Sequence, residues 1–343
     1  MLGPVRTLDL RSDTVTKPTP AMREAMANAS VGDDVYGEDP SVNQLQQEAA
    51  RRLGVETALF VPSGTMANQV ALRTLTRPGD VVLAGAGAHL LVYESGAPAA
   101  LSGLQVQTIG EGGLFDGSDV RRNLTPDDAH YAVTRVVALE NTHNRSGGRV
   151  FPLDQAKDVA AAARAAGLSI HLDGARIFNA EVATGTPARE WAQLADTVSF
   201  CLSKGLGAPV GSLVCGRREL ARPLHRARKL LGGGMRQAGI LAAAGLHALA
   251  HHVERLAGDH ANARRLAAGL LELGLRVDPA PETNMVMFDV DDASALSRSL
   301  RERRLLINPI GAGRLRAVTH LDVSTDDIDD ALSRIGEALG QSR

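Results

Sequence analysis

Residues 197–207 read TVSFCLSKGLG, and this stretch decides the fold that we expect for the chain. An apolar, β-favouring run ends there at Lys204 and a glycine-rich turn, which is the pattern of a buried strand leading into a loop. A second run of the same kind, residues 167–176 (GLSIHLDGAR), ends in Asp173. Strands and helices alternate over about residues 55–215. This alternation predicts an α/β fold with a mostly parallel, doubly wound sheet.

Lys204 and Asp173 are expected to share one crevice, because ligands bind beyond the carboxyl ends of the strands in such a sheet. They lie 204 − 173 = 31 residues apart, about one strand-helix-strand repeat. A desolvated lysine is suited to condense with an aldehyde. A carboxylate can keep a ring nitrogen protonated, with an attraction of about 5 kcal/mol at ~3 Å before desolvation is subtracted. Taken singly, a surface lysine and a turn aspartate remain the alternatives.

A phosphate-binding turn is predicted ahead of both residues. Residues 58–61 (ALFV) favour a strand, and residues 62–69 (PSGTMANQ) open a helix. Gly64 lets the backbone approach a ligand, and the N–H groups of a first helical turn have no internal partner. Thr65 and Ser63 add hydroxyl groups, although single residues of this kind are more commonly ordinary N-caps. The stretch has neither the Walker A nor the GxGxxG pattern.

The phosphate-binding turn, the carboxylate and the lysine occur in this order along one chain. Together they predict an enzyme that uses pyridoxal 5'-phosphate (PLP), in which the protonated ring acts as an electron sink.

The sequence resembles the low-specificity L-threonine aldolase family of the fold-type I PLP enzymes. The resemblance extends almost from end to end, and only residues 240–310 match in general character alone. The motifs that carry it are residues 9–16 (DLRSDTVT), 32–40 (GDDVYGEDP), 63–68 (SGTMAN), His89 with 93–96 (YESG), 140–144 (ENTHN), 171–176 (HLDGAR), 203–212 (SKGLGAPVGS), 232–237 (GGGMRQ) and 318–323 (VTHLDV).

The resemblance implies roles for three groups of residues. The cofactor-binding residues that it implies are Gly64, Thr65, Asp173, Arg176, Lys204, Lys229 and Arg236. Of these, Lys204 would attach the cofactor, and Lys229 and Arg236 would serve the phosphate or reach it from a neighbouring subunit. The catalytic residues implied beside Lys204 are His89 and His130, which would reach the substrate β-hydroxyl. The substrate-binding residues implied are Ser12, Tyr93 and Arg316, with Arg314 as the alternative to Arg316.

The reaction that the resemblance implies is the cleavage of L-threonine and L-allo-threonine to glycine and acetaldehyde by a PLP-dependent aldehyde-lyase. Two alternatives stay open. One is a related PLP lyase for another amino acid, such as a phenylserine aldolase or a β-eliminating lyase. The other is a non-catalytic PLP-binding scaffold, which would not need Lys204, Asp173, Arg176 and His89 together.

Composition limits the partners of the chain. It has 343 residues, a formal net charge of −2 and a hydrophobic content of 44%. This balance predicts neither nucleic-acid nor anionic-membrane binding. We find no signal-peptide pattern and no membrane-spanning run. Cys201 and Cys215 lie in apolar segments and predict buried thiols without a disulfide or metal site. We therefore expect a cytoplasmic enzyme, and the resemblance implies a homo-oligomer, either a dimer or a tetramer.

Two domains are expected. Residues 1–240 would form the large PLP-binding domain with an N-terminal arm, and residues 241–343 a smaller C-terminal α/β domain. The pattern predicts one helical stretch over 238–273, a strand over 316–323, and a last helix from Ser324 with Asp327 as its capping partner. The histidines of the helical stretch are expected to form a polar helix face; they are His247, His251, His252 and His260.

Overall fold

A seven-stranded sheet forms the centre of the fold. The structure is a computed structural model that describes residues 6–340. The strands in chain order are β1 (Leu8–Asp9), β2 (Thr57–Val61), β3 (Val81–Gly85), β4 (Gln105–Ile109), β5 (Thr134–Glu140), β6 (Ser169–Asp173), β7 (Thr197–Cys201), β8 (Ser212–Gly216), β9 (Arg276–Val277), β10 (Met285–Asp289), β11 (Leu305–Leu306), β12 (Asn308–Gly311) and β13 (Arg314–Val318). The large sheet has the order β2-β8-β7-β6-β5-β3-β4. Strand β8 is antiparallel to both neighbours and the other neighbours pair in parallel, which confirms the mostly parallel sheet.

Helices cover both faces of this sheet. The α-helices in chain order are α1 (Pro20–Ala27), α2 (Pro40–Leu53), α3 (Gly64–Leu75), α4 (His89–Val92), α5 (Ala97–Ser102), α6 (Gly117–Arg122), α7 (Leu153–Ala165), α8 (Ile177–Thr184), α9 (Ala188–Ala192), α10 (Ala221–Leu230), α11 (Gly239–His251), α12 (Leu256–Glu272), α13 (Ala293–Glu302) and α14 (Thr325–Ala338). Successive strand side chains point to opposite faces. Leu83 and Val137 therefore join the core beneath α2 and α7, whereas Val82 and Val136 pack with Leu72 of α3. The doubly wound architecture is confirmed.

The smaller unit has a four-stranded antiparallel sheet of order β12-β13-β10-β9. Its core contains residues of α12, α13 and α14 and also Leu8 and Leu10 from the start of the described chain. Strand β1 pairs in parallel with β11. The division after residue 240 stays a prediction. Residues of α11 pack in the core of the large sheet, and the first residue after α11 in the core of the smaller unit is Ala263.

Local sequence signals account for several helix ends. The Ser63 hydroxyl accepts from the Met66 N–H at the start of α3. Gly167, with φ +69°, follows α7 in the left-handed conformation that glycine adopts most readily. The predicted capping box of α14 is confirmed, because Ser324 and Asp327 each accept the other's backbone N–H.

Three expectations for the C-terminal part are wrong. The single helical stretch is two helices, α11 and α12, which break where the buried His252 side chain bonds to the Leu206 carbonyl. The strand expected over 316–323 is β13 and ends at Val318, since the next residue, Thr319, turns inward to bond Asp259. His252 and His260 are buried and hydrogen-bonded rather than exposed, and His260 contacts Asn179. Among residues 6–340, no helix has the length and apolarity needed to cross a membrane.

Candidate active site

Three adjacent parallel strands end at one edge of the large sheet and place the candidate site there. Glu140 closes β5 and lies directly opposite Asp173, which closes β6. Asp173 in turn pairs in register with Ser199 of β7, and Lys204 follows that strand by three residues. The structure thus brings together Asp173 and Lys204, as the spacing of the two strands predicts.

The carboxylate of Asp173 is buried and held in a fixed position. The Asn68 amide donates to its Oδ2 at 2.7 Å, and the Ala175 N–H donates to its Oδ1 at 3.1 Å. Burial alone would raise the pKa of Asp173, but the nearby charges of His89 and Lys204 and the Asn68 hydrogen bond lower it below its ordinary value. A fully buried carboxylate that stays ionised is suited to hold a protonated ring nitrogen.

Asn68 of α3 organises this part of the site, and the sequence did not single it out. Its amide also donates to Glu94 at 2.8 Å, while its carbonyl oxygen accepts from Ser199 at 2.9 Å and lies 3.1 Å from His171 Nε2. Its position one turn into the helix that follows the phosphate-binding turn is the signal that could have identified it. His171 is buried, and its Nδ1 lies 2.9 Å from the Thr197 hydroxyl.

The first turn of α3 fits a phosphate group. Gly64 approaches β7 so closely that an added Cβ would lie 2.7 Å from Cys201 Sγ. The N–H groups of Gly64 and Thr65 are at the start of a 12-residue helix, where N–H groups have no intrahelical partner and favour anions. A second glycine-rich turn, residues 232–234, packs against the first turn of α3, because a Cβ at Gly233 would overlap Met66 Sδ.

Lys229 and Arg236 lie on either side of that glycine-rich turn. Lys229 is in the last turn of α10, and a Cβ at Gly234 would lie 3.5 Å from its Cδ. Arg236 is largely exposed and contacts Asp33 at 3.4 Å. Among residues 6–340, therefore, no hydrogen bond joins either side chain to the first turn of α3.

His89 opens α4 and is held by two carboxylates. Its ring Nδ1 lies 2.9 Å from Glu94 Oε1, and its backbone N–H donates to Glu140 at 2.7 Å. Burial would lower the pKa of His89, but the hydrogen bond to Glu94 and the charge of Asp173 raise it above its ordinary value. The ring of Tyr93 packs on it with 5.5 Å between centroids. The structure thus brings His89 and Tyr93 together.

Glu140 connects the two loops that flank the site. It accepts from the N–H groups of His89 at 2.7 Å and Asn144 at 2.8 Å. Burial and the adjacent charge of Asp173 raise the pKa of Glu140 to about 7. Its role was not predicted, because only the register of β5 against β6 places it beside Asp173.

Two arginines meet at Asn144. Arg176 forms a buried bidentate pair with Asp13 at 2.6 and 2.7 Å and contacts the Asn144 side chain at 3.3 Å. Arg316 contacts the same oxygen at 3.2 Å. Its Nε is buried and has no hydrogen-bond partner within residues 6–340. A buried, unpaired guanidinium N–H fits a carboxylate that the protein itself does not supply.

Arg314, the alternative to Arg316, is already occupied by Asp289, with distances of 2.6 and 3.0 Å. Ser12 lies beside Asp13, and its hydroxyl accepts from the Thr14 N–H. Because Asp13 pairs with Arg176, its neighbour Ser12 lies near the Arg176 end of the site.

His130 lies apart from this network. Its side chain is 89% exposed and pairs with Asp128 at 2.6 Å. It follows α6 in the loop before β5, and within the described chain no hydrogen bond joins it to His89 or Lys204.

One group in residues 6–340 has metal-ligand spacing. Ligand atoms of His89, Glu94 and Asp173 all lie within 4.8 Å of one another. The Asn68 amide already bonds both carboxylates, and the absence of a resident metal stays a prediction.

Comparisons with known proteins identify the family and the fold of the chain. The β-eliminating lyase family matches residues 9–293. The low-specificity L-threonine aldolase of Escherichia coli K12 is 47% identical over 327 residues, which cover 94% of this chain and 96% of that protein. Low-specificity L-threonine aldolase 1 of Arabidopsis thaliana is 42% identical over 347 residues, covering 98% and 97%. The structure of Leishmania major threonine aldolase superposes with a TM-score of 0.84 at 20% identity, covering 96% and 99%.

Proposed function

We propose the function of this chain from its family: it belongs to the β-eliminating lyases, and within them to the low-specificity L-threonine aldolases. It cleaves L-threonine and L-allo-threonine to glycine and acetaldehyde as a PLP-dependent aldehyde-lyase. The observation that carries this proposal is the buried Arg316 Nε without a partner in residues 6–340, beside the site of Asp173 and Lys204. One crevice thus offers a receptor for an amino-acid carboxylate and the groups that a PLP ring requires.

The residues at the strand ends fit PLP. Lys204 would attach it, Asp173 would hold the ring nitrogen, and Arg176 would lie by the ring hydroxyl. Gly64 and Thr65 would bind the phosphate, which the close approach of Gly64 to Cys201 supports. When bound, PLP supplies the electron sink for the charge that remains on Cα after the Cα–Cβ bond breaks.

Arg316 and Ser12 orient the substrate by its carboxylate. A bidentate guanidinium fixes both the position and the plane of a carboxylate. Asn144 restrains the Arg316 guanidinium at 3.2 Å. Holding the carboxylate in this way sets which bond to Cα is aligned for cleavage.

His89 receives the proton of the β-hydroxyl, either directly or through a water held with His130. Glu94 binds Nδ1, which leaves Nε2 as the nitrogen that can accept. The hydrogen bond also fixes the ring orientation. His130 is proposed as the second group near that water. Among residues 6–340 its ring pairs with Asp128 and lies outside the hydrogen-bond network of Asp173 and His89.

The enzyme acts as a homo-oligomer, a dimer or a tetramer, in the cytoplasm. Exposed apolar side chains flank the glycine-rich turn and the segment after α1, which supports an interface there; they are Val31, Tyr36, Leu230 and Ile240. Lys229 and Arg236 would then reach the phosphate of a neighbouring subunit. Two free, buried cysteines fit a reducing compartment.

The first experiment records the visible spectrum of the purified protein with PLP and then measures acetaldehyde after L-threonine is added. A visible band with acetaldehyde release is the expected result. A band without acetaldehyde would retain the cofactor and redirect the substrate search to serine and phenylserine. Without a band after reconstitution, Lys204, Asp173 and the first turn of α3 would not form one site.

A further inference from the structure

A cavity of about 560 Å³ opens beside Arg316, on the side of the site that faces solvent. Tyr93, Met287 and Ile310 are among the residues that line it. The ring of Tyr93 packs on the ring of His89 with 5.5 Å between centroids, so the cavity lies next to the residue proposed as the base. The methyl group of threonine occupies a small fraction of this volume, since one water molecule takes up about 30 Å³ in the liquid. The cavity therefore has room for a larger substituent on Cβ.

The charge of this cavity is positive and only partly compensated. Three arginines line it, Arg145, Arg314 and Arg316, and none of its lining residues is acidic. Asp289 compensates Arg314 through two hydrogen bonds. The substrate α-carboxylate compensates Arg316. No carboxylate within residues 6–340 pairs with Arg145, which leaves one positive charge facing the space that a Cβ substituent would fill.

The Arg145 side chain is held against the loop before α4. Its stem lies across Gly87, where an added Cβ would be 2.8 Å from Arg145 Cδ. Gly87 has φ +82°, a conformation that glycine adopts most readily. The stem thus packs on backbone that carries no side chain, and Arg145 is one of the residues that line the cavity. Arg145 is exposed, so its attraction for an anionic ligand is that of a solvent-screened charge.

We propose that Arg145 is a specificity-determining residue that selects β-hydroxy-α-amino acids whose Cβ substituent carries an anionic group, either a carboxylate or a phosphate. This inference rests on the proposed retro-aldol function. Cleavage of 3-hydroxy-L-aspartate would break the Cα–Cβ bond, transfer the hydroxyl proton to the base and leave the bonding pair on Cα, which is then protonated. The products are glyoxylate and glycine. Cleavage of 4-phosphooxy-L-threonine breaks the same bond with the same proton transfers and gives glycolaldehyde phosphate and glycine.

The test compares each anionic substrate with a neutral substrate of similar shape, using the PLP-loaded enzyme. The pairs are 3-hydroxy-L-aspartate with 3-hydroxy-L-asparagine, and 4-phosphooxy-L-threonine with 4-hydroxy-L-threonine. For each pair we measure the ratio of kcat/KM values in the wild type, Arg145→Gln and Arg145→Glu. Arg149→Gln is the matched control, because Arg149 is a nearby, half-exposed arginine that pairs loosely with Glu282 at 3.8 Å and does not line the cavity.

The ratio of the kcat/KM value of the anionic substrate to that of the neutral one should exceed one in the wild type. It should fall roughly twofold to fivefold in Arg145→Gln, the size of an exposed charge contact. It falls further in Arg145→Glu and is unchanged in Arg149→Gln. Added salt should weaken the preference. A preference confined to one pair identifies the anion as carboxylate or phosphate.

Two results would overturn the inference: a wild-type preference for the neutral members of both pairs, or equal ratios in Arg145→Gln and Arg149→Gln. Failure of the proposed function looks different, because L-threonine itself would then yield no acetaldehyde.

Discussion

The two sides of the active site are built in opposite ways. On the sheet side, the Asp173 carboxylate and the Asn68 amide are buried and joined in one hydrogen-bond network. On the solvent side, Tyr93 is 48% exposed and Arg316 carries an N–H without a partner in residues 6–340. A network whose members satisfy one another holds a fixed geometry. On the solvent side, an unsatisfied donor finds its hydrogen-bond partner only when a ligand binds. The cofactor therefore binds to a preorganised surface, whereas the substrate supplies the missing hydrogen-bond partner on its side of the site.

The largest effect is expected from Lys204→Ala. This change removes the group that attaches the cofactor at the end of β7, so turnover should be abolished and the visible band of the bound cofactor lost. Acetaldehyde release and the absorbance spectrum measure both. Lys157→Ala is the matched control, since Lys157 lies in α7 and forms an i,i+3 pair with Asp154. Near-normal activity of Lys204→Ala would end the assignment.

Asp173→Asn tests the sheet side. The amide is of similar size but cannot balance a protonated ring nitrogen, so kcat should fall roughly 10²- to 10³-fold, as when one electrostatic contact to the transition state is removed. KM for L-threonine should change much less, because the substrate contacts the other side. A rise in KM as large as the fall in kcat would contradict the assignment of cofactor contacts to one side and substrate contacts to the other.

Arg316→Gln tests the solvent side, with Arg314→Gln as its control. Losing a charged hydrogen-bond pair costs about 1.5–3 kcal/mol, so KM for L-threonine should rise roughly 10- to 150-fold. Arg314 is held by Asp289 and its change should alter KM little. Steady-state kinetics measure both variants, and the reverse order of effects would identify Arg314 as the carboxylate receptor.

The smallest expected effect is a shift in the pH profile of kcat/KM. His89 accepts a proton only when neutral, so activity should rise as pH increases through its pKa, which Glu94 and Asp173 raise. Glu94→Gln removes one of these charges, lowers the pKa of His89 and moves the acidic limb to lower pH.

His130 and its partner Asp128 provide the matched test. Asp128→Asn should leave the acidic limb of the profile in place. Movement of the limb in Asp128→Asn, and not in Glu94→Gln, would make His130 the base.

The sequence predicted the parts of the site that follow from where strands and helices end. Asp173, Lys204 and Gly64 come at such ends, and periodicity with turn residues was enough to place them. It did not predict Asn68 as the centre of a network or Glu140 beside Asp173. Those contacts depend on strand register and on side chains up to 131 residues apart, as for Ser199 and Asn68. The buried pair of Asp13 and Arg176 spans 163 residues and was invisible for the same reason.

Strand β1 makes the two units mechanically dependent on each other. Leu8 and Leu10 are buried in the core of the smaller unit. Three residues after Leu10, Asp13 forms its ion pair with Arg176 at the end of the large sheet. The intervening chain is too short to absorb slack, since three extended residues span only about 10 Å. Any rotation of the smaller unit would therefore pull on the Asp13–Arg176 pair and, through Asn144, on Arg316. Residues 8–13 thus act as a tether, so that a movement of the smaller unit would displace side chains in the active site beside the large sheet.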